Sequence, residues 1–378
     1  MNTSQYSELK GKTRSYPYFI IITRRNGILD LYGWTKYLKK IKHPIPEKTD
    51  NIGRVASIKG NIFELHTPRG CKKAEMLGKL LFSYEKCEQP KVGDWIKYLD
   101  YGESALIEDV LPRYNQLYRK AAGKETSKQV MVTNVDKAVI IQGVDNDFNL
   151  NRIERYLVQV ITCNINPVII LNKSDLVDDT GSYIREIEKL QRGIPVFCCS
   201  VKTGEGLDKL KKEIFVTAST SVLIGSSGVG KSSLVNELIG ADQKTGEISH
   251  STGKGKHTTT TRDLFLLENG AIVIDTPGMR EFGVGFEEDA TFGEQFPAIS
   301  KFAEGCRFQD CSHFHEEGCN VIQAMEKGEL DPFVYESYLK LVNEQKRFHT
   351  TIHDKKMQGK QFGKMAREAQ AYRKKYKF

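Results

Sequence analysis

The sequence G-S-S-G-V-G-K-S at residues 225–232 fills every fixed position of the P-loop pattern, and its reading decides the fold. A short apolar run, 222–224, precedes it. Behind it Leu234, Val235, Leu238 and Ile239 fall on one helical face, and Gly240 stands where that helix would close. The pattern therefore predicts a buried strand, a glycine-rich turn and a helix N-terminus. Backbone N–H groups over Gly225, Ser226, Ser227, Gly228, Val229 and Gly230, together with the positive end of the helix dipole, would wrap an anionic phosphate chain. Lys231 would reach the β- and γ-phosphates and Ser232 would ligate Mg²⁺, with Ser233 next to them in the helix.

Outward from this loop, strands and helices alternate from about residue 137 to 274. Residues 138–141 form an apolar strand, Ile153, Tyr156, Leu157, Val160 and Ile161 a helical stripe, and 168–171 a second buried strand. Such alternation predicts a doubly wound, mostly parallel sheet with its ligand at the carboxyl ends of the strands. Asn172-Lys173-Ser174-Asp175 follows one strand directly. An Asp175 carboxylate there would accept from N1–H and the 2-amino group of guanine, a donor pair that adenine lacks. Sites built on such a bond reject the analogue without it by about 10⁴ to 10⁵. Ser200, Val201 and Lys202 follow the strand at 196–199 and would buttress the base. Asp275-Thr276-Pro277-Gly278 follows 271–274; Asp275 would hold Mg²⁺ through water and the Gly278 amide would meet the γ-phosphate. Between them, G-K-G-K-H-T-T-T-T at 253–261 is hydroxyl-rich, and one of Thr258 to Thr261 would complete the Mg²⁺ shell only when the γ-phosphate is present. Read alone, N-K-x-D is an exposed turn and 253–261 a solvated linker. The neighbouring P-loop turns both into parts of one site.

The chain has 378 residues, 39% of them hydrophobic, enough for about two to three domains with ordinary cores. The apolar run at 19–22 is too short for a signal peptide and is followed by Arg24 and Arg25, and no window approaches a membrane span. A soluble, cytoplasmic protein without a membrane partner is expected. Residues 1–48 carry no readable function, and Pro44 and Pro46 suggest a linker. Short β-like runs at 54–58, 61–67, 92–99 and 105–111, broken by Gly60, Gly70, Gly93 and Gly102, argue a small barrel. A barrel of the OB type would suit nucleic acid; one used only for packing fits the pattern equally. Five cysteines, Cys71, Cys87, Cys163, Cys198 and Cys199, read as scattered buried thiols, not a disulfide framework. Cys306, Cys311 and Cys319 cluster with a histidine in the spacing of a closed tetrahedral zinc site, and the residues leave both His313 and His315 as the fourth ligand. Phe333, Tyr335, Tyr338, Leu339 and Leu341 suggest a helix that leads into a basic tail. Net charge is +8, and residues 346–378 hold eleven Lys and Arg against Asp354 and Glu368, with Phe348, Phe362, Tyr372 and Tyr376 interleaved. That tail suits RNA backbone contact and base stacking, or is a solvated helix.

The motifs are those of a translation-factor-type GTPase in permuted order: 172–175 and 200–202 precede 225–232, and 275–278 comes last. With T-N-V-D at 133–136, G-K-H-T-T-T at 255–260 and D-T-P-G-M-R-E-F at 275–282, the chain resembles the ribosome small-subunit-dependent GTPase A family over most of residues 50–345. The resemblance implies a multidomain α/β protein. Its parts are an N-terminal extension (1–48), an OB-like β-barrel (49–115), a circularly permuted P-loop GTPase domain (116–285), a zinc-binding α-rich domain (286–345) and a basic tail (346–378). The family spacing C-x4-C-x-H-x5-C maps onto His313 as the zinc ligand, and alignment to the family favours Thr259 with Ser232 for magnesium. Where many related GTPases carry a glutamine this chain has Met279, so unaided turnover should be slow, about 10⁻³ s⁻¹ or below. His257, beside the switch threonines, is the candidate for positioning water, with Lys231 and Thr259 completing the catalytic set. The resemblance implies a GTPase, using GTP and GDP, magnesium and one structural zinc, that binds the small ribosomal subunit and its rRNA late in maturation and leaves after stimulated hydrolysis. Two other readings stay open from residues alone, a nucleotide-gated module on another RNA and a metabolic P-loop kinase or ATPase; Asp175 argues against the latter. Nothing suggests an extended helical dimer seam, so a monomer is expected.

Overall fold

The structure is a computed structural model that describes residues 27–41, 50–120, 128–190, 192–240, 262–276 and 295–344. Residues 1–26 and 42–49, residues 241–261 with His257 and Thr258 to Thr261, Pro277, Gly278, Met279 and the basic tail lie outside the described residues. The chain divides into two compact units, one of residues 1–119, 128–184 and 194–284, the other of 120–127, 185–193 and 285–378.

The first unit opens with a 3-10 turn, Ile28–Tyr32, and helix α1 (Trp34–Lys40). Seven residues are too few for a stable isolated helix, and packing holds this one in place. Leu29, Trp34 and Tyr37 share an apolar cluster with Ile52, Trp95 and Leu111. On its other side Lys36 and Lys40 pair with Asp136 at 3.0 and 2.6 Å. The residues expected to be an unreadable extension therefore contain a docked helix.

Five strands follow: β1 (Ile52–Lys59), β2 (Ile62–Thr67), β3 (Gly70–Met76), β4 (Trp95–Tyr101) and β5 (Ser104–Val110). Helix α2 (Gly78–Ser83) lies between β3 and β4. The strands close in the order β1-β2-β3-β5-β4 and back to β1, with β3 and β5 parallel and the other pairs antiparallel. This is an OB-like barrel. Val55, Phe63, Leu65, Ala74, Ile96, Tyr98, Ala105 and Ile107 fill it. In β2 the alternation that the sequence displays puts Phe63, Leu65 and Thr67 inside.

Beyond a two-stranded sheet of β6 (Gln116–Lys120) and β7 (Lys128–Thr133), the chain runs through β8 (Lys137–Gly143), α3 (Leu150–Thr162), β9 (Asn166–Asn172), α4 (Gly181–Glu188) and β10 (Val196–Cys198). It continues with α5 (Leu207–Glu213), β11 (Thr220–Ile224), α6 (Lys231–Ile239), β12 (Asp263–Leu266) and β13 (Ile272–Asp275). The spatial order is β10-β9-β8-β11-β13-β12, parallel except for β12, which runs antiparallel to β13. Helices cover the strands, so β8, β9 and β11 are near-continuous apolar runs. Ser57 of β1 pairs with Asp263 of β12, joining barrel and sheet through hydrogen-bonded strands.

The second unit is helical in its described residues: α7 (Pro297–Ala303), α8 (Asn320–Glu326) and a run over 332–344. Among the described residues no helix is long and apolar enough to cross a membrane. All eight cysteines are thiols outside any disulfide. The expectation that the five scattered ones are buried holds only for Cys163 and Cys199; Cys71 is exposed and Cys87 and Cys198 are half-buried. Cys71 stands with Lys73 and Glu75 on the exposed register of β3.

Candidate nucleotide site and metal centre

The P-loop leaves the carboxyl end of β11 and turns into α6 with two glycines under constraint. A Cβ on Gly225 would fall 2.4 Å from the Ile141 carbonyl, and one on Gly230, whose φ is +96°, 2.3 Å from Asn172 Nδ2. Only a residue without a side chain lets the turn pass so near β8 and β9. Lys231 is buried and donates to the carbonyls of Gly225 at 2.8 Å and Ser226 at 2.6 Å. Burial pushes its ammonium down to about 8, against the pull of Asp275. Ser227, Gly228 and Ser233 are exposed and Val229 is buried beneath the turn. Ser232 donates to Asp275 Oδ2 at 3.2 Å. The other oxygen of Asp275, Oδ1, is buried without a hydrogen-bond partner among the described residues, and burial raises this carboxyl. A hydroxyl and an orphaned buried carboxylate oxygen side by side are a donor set that fits Mg²⁺.

The 172–175 and 200–202 segments meet the P-loop through Asn172. Its Nδ2 donates to the Val229 carbonyl at 2.8 Å and its Oδ1 accepts from the Val201 N–H at 3.2 Å, so one side chain ties together the tips of β9, β10 and β11. Asp175 accepts from the Ser200 hydroxyl at 2.6 Å and faces Lys202 at 3.5 Å. The Ser200 hydrogen bond holds Asp175 below its ordinary carboxylate range. Lys173 has a left-handed backbone, φ +66°, and reaches Asp145 Oδ2 at 2.6 Å. Residues 172–175, 200–202, 225–233 and Asp275 thus sit around neighbouring strand tips, whereas His257, Thr259 and Gly278 lie outside the described residues.

Three residues that sequence reasoning passed over also stand here. Asp147 Oδ2 accepts from Ser226 Oγ at 2.6 Å and from Arg152 Nη1 at 2.7 Å, and Arg152 Nη1 also donates to Ser226 Oγ at 2.9 Å. Asp145, after the same strand β8, holds Lys173. The available signal was the D-N-D turn immediately behind a buried strand.

In the second unit Cys306, Cys311, His313 and Cys319 bring four donor atoms within 4.8 Å of one another. The Nδ1 of His313 is 3.6 Å from Cys306 Sγ and 3.5 Å from Cys319 Sγ, and the two sulfurs are 4.0 Å apart. A tetrahedral zinc has edges of about 3.6 Å for S···N and about 3.8 Å for S···S, so the cluster is compatible with that ion. His313 is buried, and Tyr335 Oη donates to its carbonyl at 2.7 Å, whereas His315 is exposed and outside the cluster.

Strand order, converging loops and barrel together define a circularly permuted P-loop GTPase carried behind an OB-like domain. The RsgA GTPase family matches residues 110–285. The small ribosomal subunit biogenesis GTPase RsgA 1 of Bacteroides thetaiotaomicron is 39% identical over 349 residues, covering 92% of this chain and 98% of the relative. Among solved structures, YjeQ from Thermotoga maritima superposes with a TM-score of 0.58 at 28% identity over 80% of this chain and 98% of its own. YloQ, described as a circularly permuted GTPase, gives 0.58 at 25% identity over 81% of this chain and 98% of its own. The chain belongs to the RsgA GTPase family, and with it the class of GTP hydrolases that use GTP, GDP and magnesium.

Proposed function

We propose that this protein binds the small ribosomal subunit late in its maturation, hydrolyses GTP when the subunit stimulates it, and then dissociates. The observation that carries this reading is the likeness to the Bacteroides thetaiotaomicron small ribosomal subunit biogenesis GTPase, which spans nearly the whole of both chains. In this reading Asp175 accepts from the guanine edge, Asn172 and Lys173 shape its turn, and Ser200, Val201 and Lys202 brace the base. Residues 225–233 cradle the phosphates, Ser232 and Thr259 ligate magnesium with Asp275 behind water, and Gly278 senses the γ-phosphate. Bound magnesium would neutralise charge on the phosphates. Lys231, Thr259 and His257 form the catalytic set, with His257 orienting water in place of the glutamine that Met279 displaces.

One structural zinc on Cys306, Cys311, His313 and Cys319 would hold the C-terminal domain at 286–345, and the tail at 346–378 would contact rRNA. The barrel at 49–115 and GTPase domain at 116–285 complete a cytoplasmic monomer. GTP turnover measured with small subunits, large subunits and tRNA at two salt concentrations tests the proposal. Stimulation by small subunits alone, weakening steeply with salt, is expected; equal stimulation by all three would refute it.

A further inference from the structure

The loop after β8 is the part of this site that the roles above leave unused. Residues 144–149 carry Asp145 and Asp147, and each carboxylate is committed to a different wall of the nucleotide site. Asp145 Oδ2 takes the Lys173 ammonium at 2.6 Å, in the N-K-x-D turn. Asp145 Oδ1 takes the backbone N–H of Asp147 at 3.1 Å, which fixes where the second carboxylate points. Asp147 Oδ2 then takes both the Ser226 hydroxyl and Arg152, at 2.6 and 2.7 Å. Other bonds hold the loop itself: Gln142 Nε2 donates to the Asp147 carbonyl at 2.7 Å, and Phe148 N–H to the Asp145 carbonyl at 2.9 Å. Asn149 caps α3 by accepting from Arg152 N–H at 2.9 Å, and the Arg152 side chain reaches Ser226 Oγ of the P-loop at 2.9 Å. A Cβ on Gly143 would come within 2.8 Å of Asp145 Oδ1, so a glycine is what admits this carboxylate beside the strand. The result is an unbroken polar chain, Lys173–Asp145–Asp147–Ser226, from the base-reading turn to the first turn of the P-loop.

We propose that Asp145 and Asp147 are positioning residues for nucleotide binding, forming a strut that sets the spacing between the guanine-reading turn and the phosphate loop. The proposal rests on the guanine-nucleotide reading of the site. Neither carboxylate needs to touch the nucleotide. Their effect passes through Lys173, which lies two residues before Asp175, and through Ser226 at the loop's entrance. Lys173 has a positive φ that a non-glycine residue adopts only when its surroundings enforce it, and the Asp145 ion pair is part of that enforcement. Arg152 supplies the charge that keeps Asp147 ionised, holding it below the ordinary carboxylate range.

A strut behaves differently from two independent anchors, and this is what the experiment reads. Equilibrium binding of GDP and of inosine diphosphate, which lacks the 2-amino group, would be measured on the full chain, wild type and Asp145→Ala, Asp145→Asn, Ser226→Ala and Asp145→Ala/Ser226→Ala. Thermal unfolding of the nucleotide-free proteins runs alongside, and Asp145→Asn keeps the shape should the alanine variant fold poorly. Each single change is expected to weaken GDP binding about five-fold, the upper range for partly exposed ion pairs, and to reduce the preference for GDP over inosine diphosphate. The double variant is expected to bind no worse than the weaker single one. A double variant weakened by the product of the two, about 25-fold, or an unchanged GDP preference in the Asp145 variants, overturns the strut. Wild-type protein that fails to bind GDP overturns the reading on which it stands.

Discussion

Replacing Asn172 tests whether the nucleotide site is assembled by side-chain geometry before any ligand arrives. In Asn172→Ala the Val229 carbonyl loses its donor and the Val201 N–H its acceptor. Val229 is buried, 1% exposed, whereas Val201 is half-buried, so water replaces these bonds only in part without opening the loops. Each buried polar group left unpaired costs about 1–3 kcal/mol. Taking the lower half of that range for both gives a loss of about 2–4 kcal/mol, which in a unit of this size lowers Tm by about 4–16 °C. Asn172→Asp sharpens the test because an ionised carboxylate still accepts from Val201 but meets the Val229 carbonyl with a lone pair. At pH 7.5 the aspartate variant should therefore melt below the alanine variant. Its folded-state pKa would be raised by burial and by that carbonyl, so its stability is recovered as pH falls and lost as pH rises through the raised value. Scanning calorimetry or circular dichroism melts of the nucleotide-free protein between pH 5 and 8 would measure both. An aspartate variant that matches wild type at pH 7.5, or whose deficit does not shrink toward pH 5, would refute the reasoning.

Metal analysis should find one zinc per chain, lost in His313→Ala and kept in His315→Ala; removal by a chelator should unfold the C-terminal unit, since such sites contribute on the order of 10 kcal/mol. Lys231, with its pKa pushed down to about 8 by burial, should regain its proton when phosphates arrive. Calorimetry at pH 8.5 in buffers of different ionisation enthalpy should then show proton uptake with GDP, affinity falling as pH rises above 8, and no uptake in Lys231→Met. Asp136 is held below 3.8: burial alone would raise it, but the Lys40 hydrogen bond, the Thr220 N–H and Lys36 outweigh burial. Its contribution is present above the unfolded carboxylate pKa and lost as pH falls through the lower folded one. Asp136→Ala should thus cost about 1–3 kcal/mol near neutrality through the unpaired Thr220 N–H, and urea melts should show that gap closing below about pH 4.

What the sequence displayed and what it hid divide along the distance between partners. The P-loop turn and α6 were legible because every feature they need is local: Leu234, Val235, Leu238 and Ile239 on one face, Gly240 with φ +81° at the end. The barrel was legible in β1, β2, β4 and β5 but not in β3, where G-C-K-K-A-E-M buries only Ala74 and shows no apolar alternation. Helix α1 was illegible for a different reason: W-T-K-Y-L-K-K has no strength of its own, and its partners Trp95 and Asp136 lie far along the chain. Asp145 and Asp147 were passed over because their partners Lys173 and Ser226 are 28 and 79 residues away. A carboxylate in sequence says nothing of which cation it will meet.

The permuted order leaves the site intact for a reason the sheet makes plain. Ligand loops leave the carboxyl ends of parallel strands, so their relative placement follows strand adjacency and not chain order. Strand β11 lies between β10 and β12 in sequence, yet it pairs with β8 through Ile224↔Ile140 and with β13 through Val222↔Ile274. Those two registers alone bring the loop after β8, the P-loop and Asp275 to one edge. The β8–β9 register, Gly143↔Asn172, adds the 172–175 turn beside them. What permutation does change is where the chain goes next. After β13 the polypeptide proceeds directly from the Asp275 segment into residues 285–378 of the second unit. Covalent connection thereby places the Asp275 segment upstream of the Cys306, Cys311, His313 and Cys319 cluster and the basic tail. In an unpermuted chain the same strand would lead back into the sheet.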